Sequence, residues 1–369
     1  MFSKIKSWSL KKKIIAGAVA FVVGCTVVGM CSDDDDESPS SNTASTVSVS
    51  SGGNAKKETA KVPRVGKIFD KASDFTYRLN SAKTGVVIDG LKKENEFYEN
   101  TYTVVVPAEI EDFPVVEIHC IKSSPYNTLK NLVAVELPPS VTLIGASAFS
   151  YCPNLRTVVL PNVIEIENSA FSECKSLQSI TLPATKKIGG RAFEECTSLA
   201  LAFLPIATEI GRGTFQNCSA LAQAELPLVE EVPDNAFMSC ESLKTVTLTS
   251  AKKIGNEAFA YCDRLESISL PAAESIGEKA FIECIGLTSA DLPKAMMIHR
   301  WAFNKCSSLV SADMPSVKMI RSNAFERCTS LSQVNMPAVE KIFPNAFYNT
   351  ALPLKVQAEL ESKYSRDAD

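Results

Sequence analysis

The sequence predicts a repeat solenoid, in which one short coil stacks on the next, and three observations lead to this prediction. Phenylalanine recurs at steps of 22 residues, cysteine follows it three residues later, and leucine follows the cysteine after three more. A chain with so regular a period folds as stacked units that contact only their neighbours, not around one globular core. The phenylalanines are Phe149, Phe171, Phe193, Phe215, Phe237, Phe259, Phe281, Phe303, Phe325 and Phe347.

One repeat unit reads L-x-x-V-x-L-P-x-V-x-x-I-G-x-x-A-F-x-x-C-x-x. In residues 155–161, LRTVVLP, the inward residues Val158 and Leu160 alternate with outward ones, which is the period of a β-strand. Pro161 is expected to end that strand because proline has no N–H to donate. The Ile-Gly pair predicts a turn or a second short strand, and Ala-Phe with its polar followers predicts a turn or one helical turn. Each coil should therefore contribute to a parallel strand ladder on one face, with short turns on the other.

Composition divides the 369-residue chain into five segments. Residues 32–63 are polar and poor in large apolar groups, so we expect a disordered tether there. The predicted boundaries are 1–31 for a signal or anchor, 32–63 for the tether, 64–130 for an N-terminal cap with a divergent first repeat, 131–350 for the repeat array, and 351–369 for a C-terminal capping helix and tail.

The N-terminus has the pattern of an export signal. The basic stretch MFSKIKSWSLKKK precedes an uncharged apolar run at 14–30 and then an acidic segment rich in Ser and Thr. A lipoprotein signal is one interpretation, with Cys25 of VVGC or Cys31 of CSDDDD as the acylated residue. An uncleaved membrane anchor and a plain cleaved signal are the others. All three predict export of the remaining chain, because basic flanks stay in the cytoplasm.

The repeated cysteines are expected to be reduced, buried and structural. A catalytic nucleophile is needed once and requires a nearby base, and zinc sites favour close C-x-x-C pairs, which do not occur here. Disulfides between coils are disfavoured because stacked Cβ atoms should lie about 4.8 Å apart, beyond the usual ~3.5–4.5 Å. The members of this cysteine ladder are Cys152, Cys174, Cys196, Cys218, Cys240, Cys262, Cys284, Cys306 and Cys328.

The sequence carries no pattern typical of an enzyme or of a cofactor or metal site. His119 and His299 are the only histidines, and both are expected to be structural or exposed substitutions. Phosphate-loop, nucleophile-elbow and zinc-protease motifs do not occur. Glu194 and Glu195 are expected on a solvated face. The net charge of -4 argues against nucleic acid as a partner.

The outward strand positions form two columns of mostly hydroxyl, amide and acidic residues, including Glu136 near their start. Leu201 and Phe203 depart from this pattern with two large apolar side chains on one strand. An apolar centre with a polar rim is typical of a protein-binding patch, although an isolated exposed apolar pair is the alternative. The candidate ligand-binding residues are Leu201, Phe203, Ser179, Thr181, Gln223, Glu225, Thr245 and Thr247.

The core I-G-x-x-A-F-x-x-C-x-x-L, over about residues 131–350, resembles the BspA-like leucine-rich repeat family of bacterial cell-surface proteins. Upstream, FTYRL, GVVIDG and VVVPAEI are similar to the N-terminal cap of that family. The resemblance implies a non-catalytic adhesion or protein-binding protein on the bacterial surface or outer membrane, with host matrix proteins or other cells as partners. A structural envelope spacer and a glycan-binding module that uses the polar columns and Phe203 are the alternatives.

Overall fold

The computed structural model describes residues 64–92, 101–119 and 129–361. These residues form a parallel β-solenoid with about one coil for every 22 residues, which confirms the predicted fold class. Each coil contributes one strand to a first ladder and one shorter strand to a second ladder. The predicted signal or anchor with Cys25 and Cys31, and the predicted tether at 32–63, lie outside the described residues.

The first ladder consists of three four-stranded parallel sheets, and its strands are mostly three residues long. Each strand ends two residues before a proline in most coils, as expected from the missing proline N–H. The strands are β1 (Lys67–Phe69), β4 (Tyr102–Val105), β7 (Leu132–Glu136) and β9 (Thr157–Val159); β11 (Ser179–Thr181), β13 (Leu201–Phe203), β15 (Gln223–Glu225) and β17 (Thr245–Thr247); β19 (Ser267–Ser269), β21 (Ser289–Asp291), β23 (Ser311–Asp313) and β25 (Gln333–Asn335).

The second ladder ends each of its repeat strands at the Ile or Val of the motif. Its first sheet contains β2 (Phe75–Leu79), β3 (Val86–Leu91), β5 (Glu109–Ile110), β6 (Phe113–Ile118), β8 (Leu143–Ile144), β10 (Glu165–Ile166), β12 (Lys187–Ile188) and β14 (Glu209–Ile210). Its second sheet contains β16 (Glu231–Val232), β18 (Lys253–Ile254), β20 (Ser275–Ile276), β22 (Met297–Ile298), β24 (Met319–Ile320) and β26 (Lys341–Ile342). A 3₁₀ turn at Ala72–Asp74 and the helix α1 (Leu354–Glu361) complete the described elements.

An antiparallel hairpin lies at the N-terminal edge of the second ladder. Strand β2 pairs antiparallel with β3, and β3 pairs parallel with β6, which begins the regular stacking. A free parallel edge is a template for unwanted strand pairing. The hairpin occupies that edge of the ladder.

Short turns, not a helical turn, join the second ladder to the next coil. Residues two before and two after each repeat phenylalanine adopt a left-handed conformation, with φ of 54–63° at every non-glycine position. The conformation costs roughly 1–2 kcal/mol per residue. It turns alternate N–H groups towards the next coil, so that Ser147, Phe149 and Tyr151 donate to the carbonyls 21 residues further on at 2.8–2.9 Å. These inter-coil hydrogen bonds offset the strain.

The core is a continuous stack of the repeat phenylalanines. Successive rings lie 5.0–5.5 Å apart and within 15° of parallel. Leucine, isoleucine, alanine and cysteine of the motif surround this stack and are almost all fully buried. Burial of one such apolar side chain contributes about 1.5–3 kcal/mol, so the stability of each coil depends on its neighbours.

Gly189 and Gly211, which follow strands of the second ladder, lie where the backbones of two coils approach closely. A Cβ atom on Gly189 would lie 2.5 Å from the amide nitrogen of Asn168 in the preceding coil. One on Gly211 would lie 2.2 Å from the nitrogen of Gly190. Neither glycine has a positive φ. The Ile-Gly pair therefore ends a second short strand where two coils touch.

Candidate functional site on the strand face

The first ladder presents Leu201 and Phe203 on its outward face. Leu201 aligns with Ser179 and Gln223 on the neighbouring strands, and Phe203 aligns with Thr181 and Glu225. Between them, Ala202 points into the core and is 3% exposed. The structure thus brings together six of the eight predicted ligand-binding residues on β11, β13 and β15, while Thr245 and Thr247 lie exposed on the adjacent strand β17.

The two apolar residues of this face differ in how much of the side chain is exposed. Leu201 is 42% exposed, whereas Phe203 is half-buried. Two residues that the strand alternation did not single out, Ile206 and Leu228, are 37% and 45% exposed. They follow Pro205 and Pro227, outside the strands, so a period-two pattern does not reach them. They could have been recognised in the sequence because each is a large apolar residue at a repeat position where other coils have Asn, Ala, Ser or Lys.

Three pairs of polar side chains on the strand face are bonded to one another. Gln223 donates to Glu225 at 3.0 Å, and Ser269 donates to Asp291 at 2.8 Å. Asn335 donates to Asp313 at 2.6 Å. Hydrogen bonds that are already formed within the protein are not available to a ligand without an exchange cost. At these three pairs the polar columns are therefore a weaker binding surface than their composition suggested.

The cysteine ladder lies in the core beside the phenylalanine stack. All nine repeat cysteines are buried and none forms a disulfide. From Cys174 onwards, each thiol donates to the backbone oxygen of the phenylalanine 25 residues earlier, at 3.0–3.2 Å. Burial raises the pKa of the Cys196 thiol to about 12. A thiol that stays protonated and enclosed is a poor nucleophile.

The two histidines occupy different settings. His119 lies in the cap, where its Nε2 is 2.9 Å from Oε2 of Glu117 and its Nδ1 is 3.3 Å from the guanidinium of Arg78. Arg78 also pairs with Asp89 at 3.0 Å. A guanidinium has only donors, so Nδ1 accepts and Nε2 donates to Glu117. His299 is half-buried after β22, and its backbone N–H donates to the carbonyl of Ile276.

The expectation that Glu194 lies on a solvated face was wrong. Glu194 is half-buried, and desolvation raises the pKa of its carboxyl. The same position is 6% exposed at Ser172 and fully buried at Ala260. The residue after each phenylalanine stacks on its equivalents in the neighbouring coils, which shield it from water. Glu195 instead reaches outward to Lys175, 3.3 Å away.

Within the part of the chain that the structure describes, no group of three or more His, Cys, Asp or Glu side chains is arranged to hold a metal ion. The same residues contain no helix with the length and apolar character needed to cross a bilayer.

These features define the class of the molecule as a leucine-rich repeat solenoid that presents a long strand face. The family model of the BspA type leucine rich repeat region matches residues 109–222 and 230–353, with six copies. The chain belongs to this family, whose members are typically bacterial surface proteins and generally non-enzymatic scaffolds. Leucine-rich repeat domains generally mediate protein–protein interactions.

Several solved structures resemble the chain. A leucine rich repeat protein of T. pallidum is 34% identical, with 53% of this chain and 89% of that chain covered and a TM-score of 0.49. A leucine-rich repeat protein of Bacteroides ovatus is 22% identical, with coverage of 80% and 97% and a TM-score of 0.42. A leucine rich cell surface protein of Faecalibacterium prausnitzii is 21% identical, with coverage of 72% and 94% and a TM-score of 0.33. No curated protein matches the chain.

Proposed function

We propose that this solenoid is displayed on a bacterial surface and binds a protein ligand, of the host matrix or of another cell, through its strand face. The single observation that carries the proposal is the exposed Leu201 beside Phe203, with polar residues in register on both neighbouring strands. Ile206 in the same coil and Leu228 in the next coil add exposed apolar surface. A few large apolar side chains with a polar rim supply most of the energy of typical protein interfaces.

The test is capture of host matrix and cell-surface proteins by the full-length protein. A Leu201→Ser, Phe203→Ser double variant should lose at least about tenfold in affinity for a captured ligand, since hot-spot side chains contribute about 2 kcal/mol or more. The matched control is Ile285→Ser, Met296→Ser, which removes two side chains that are 47% and 49% exposed in other coils.

Equal losses in the two double variants would show that binding depends on general surface hydrophobicity and not on this face. Capture of no protein would favour the structural spacer. Binding of an uncharged glycan that depends on Phe203 would favour the carbohydrate-binding alternative. The hydrogen bonds already formed within the polar columns support the protein ligand over that glycan.

We further propose that the N-terminal segment exports the chain and attaches it to the membrane, through acylation of Cys25 or Cys31 or through the apolar run itself. Metabolic labelling with a fatty acid, applied to Cys25→Ala and Cys31→Ala variants, tests this. Loss of label in one variant alone identifies the acylated cysteine. Membrane retention without any label identifies an uncleaved anchor, and release of the protein contradicts attachment.

A further inference from the structure

A small cavity opens at the C-terminal ends of the first strands of the first ladder. It has a volume of about 150 Å³ and is lined by Val105, Glu136, Leu137, Pro139 and Val159, among others. A cavity of about this volume, when apolar, holds a molecule the size of benzene. The space is therefore suited to one side chain of a partner and not to a large ligand.

The cavity coincides with an irregularity of the repeat. Strand β7 pairs with β9 at a separation of 23 residues, as for Glu136 and Val159, whereas later strands pair at 22, as for Phe203 and Glu225. The extra residue lies in the Pro138–Pro139 pair, where most coils have a single proline. Both prolines line the cavity, so the insertion is the local change that accompanies it.

A carboxylate lies in this otherwise apolar setting. Glu136 is in register with Val105 on one side and Val159 on the other, so both residues directly opposite it are apolar. Its Oε2 is buried and has no hydrogen-bond partner among the described residues. The other acids of the strand face differ, because Glu225, Asp291 and Asp313 each accept a hydrogen bond from a neighbouring side chain.

A buried carboxylate oxygen without a partner is unfavourable, and a cationic group that reached it would relieve the cost. Valine and proline side chains around it suit an aliphatic stem. A single carboxylate supplies too few oxygen ligands for a calcium ion, which takes six to eight. An ammonium group on a flexible four-carbon stem matches both the charge and the shape.

We propose that this cavity binds a lysine side chain of the protein partner, with the ammonium group paired to the carboxylate of Glu136. The proposal rests on the proposed function, because it assigns one point of contact on the same strand face. It places a charged anchor about three coils before the apolar residues Leu201 and Phe203.

The test uses saturation-transfer NMR of the full-length protein with the capped tripeptide acetyl-Gly-Lys-Gly-amide. The peptide should bind the wild type and Glu225→Gln, the matched control, equally well. Glu136→Gln should weaken binding about tenfold or more, since a hydrogen bond to a charged group is lost. Acetylation of the lysine should weaken binding by the wild type to the same degree, and a Gly-Arg-Gly peptide should bind less tightly because its guanidinium is wider.

Thermal unfolding provides the second measurement. Glu136→Gln should unfold at the same or a higher temperature than the wild type, because it removes the charge from a half-buried carboxyl whose Oε2 lacks a partner. A markedly lower unfolding temperature would show that the carboxylate has an internal partner and would overturn the proposal. So would absence of lysine-peptide binding, equal binding by Glu136→Gln, or tighter binding of the arginine or acetylated peptide.

The two proposals fail in different ways. If the lysine peptide does not bind but a captured protein ligand still depends on Leu201 and Phe203, the lysine site is wrong and the proposed function stands. If the peptide binds through Glu136 but no protein ligand is captured, the lysine site stands and the proposed function is wrong.

Discussion

The thiol of Cys196 donates a hydrogen bond to the backbone oxygen of Phe171, 3.2 Å away in the preceding coil. The same oxygen accepts from the backbone N–H of Cys174 within its own coil, also at 3.2 Å. One carbonyl therefore closes a turn and ties that turn to the next coil. The oxygens of Phe193 and Phe215 accept the same two bonds, and each thiol from Cys174 onwards links two coils without a covalent bond.

Replacement of Cys196 by alanine should lower the free energy of unfolding by about 1–3 kcal/mol, through a small cavity and an acceptor that loses one donor. Cys152 is the matched control, because it is equally buried but its thiol donates within its own coil, to the oxygen of Ser150 at 3.8 Å. Cys152→Ala should therefore cost less. Urea unfolding followed by circular dichroism measures both, and equal losses would assign the whole effect to packing.

Alkaline pH should destabilise the fold through the same thiols. Burial raises the pKa of Cys196 from its ordinary 9.0 to about 12. In the unfolded chain the thiol loses its proton near pH 9, while the folded protein retains it, so stability is fully present below about pH 9 and falls as the pH rises towards about 12. The decline should be shallower in Cys196→Ala when unfolding is measured across this range. An identical decline in both proteins would show that the Cys196 thiol does not cause the loss of stability at alkaline pH.

Native thiols should also resist modification. A maleimide reagent at neutral pH should label none of the nine repeat cysteines in the folded protein and all of them in denaturant, because reaction requires an accessible thiolate. Mass spectrometry of peptides that contain the repeat cysteines measures the extent of labelling at each of them. Rapid labelling of most of them in the native state would show that the ladder is not structural.

Position in the phenylalanine stack should set the cost of removing a ring. Phe193 stacks on Phe171 and Phe215, each at 5.5 Å, whereas Phe347 has one such neighbour and is 6% exposed. Phe193→Ala should lower the free energy of unfolding by about 3–5 kcal/mol, and Phe347→Ala by roughly 1 kcal/mol less, because one aromatic contact fewer is lost. Chemical denaturation of the two variants compares them. A larger loss at Phe347 would mean that the C-terminal end, not the middle, holds the array together.

Pro233 explains the interruption of the second ladder between β14 and β16. At this position other coils donate an N–H to the preceding coil, as Gly255 does to Val232 at 2.7 Å, and proline has none. Pro233→Gly should create an amide that is protected from hydrogen exchange by the carbonyl of Ile210. The gain of about 1 kcal/mol in stability from the new hydrogen bond is nearly offset by the flexibility of glycine, so hydrogen exchange is the informative measurement.

His299→Gly is the control for this change, since the N–H of His299 already donates to the carbonyl of Ile276. A fast-exchanging amide at residue 233 would place the cause of the interruption elsewhere.

The 22-residue period, the inward phenylalanine, cysteine and leucine, and the outward placement of Leu201 and Phe203 were all predictable from the sequence. These features depend on the alternation of side chains along a strand and on a strict repeat, both of which are local properties of the chain. The burial of Glu194 was not predictable in the same way, because it results from the side chains of the coils on either side. The left-handed residues of the turns, such as Trp301 and Lys305, carry no glycine signal, since hydrogen bonds to the next coil impose their conformation.

The sequence by itself determined the architecture of this protein and the identity of its core, because a repeat of apolar residues leaves one way to bury them all. Only the tertiary structure decided which irregularities become surface features. The residues that the next coil brings into register decide three such features. They are the cavity beside Pro139, the missing partner of Glu136 and the exposure of Leu228. Those residues lie more than 20 positions away in the sequence, and contact between coils is the physical reason that they act on one another.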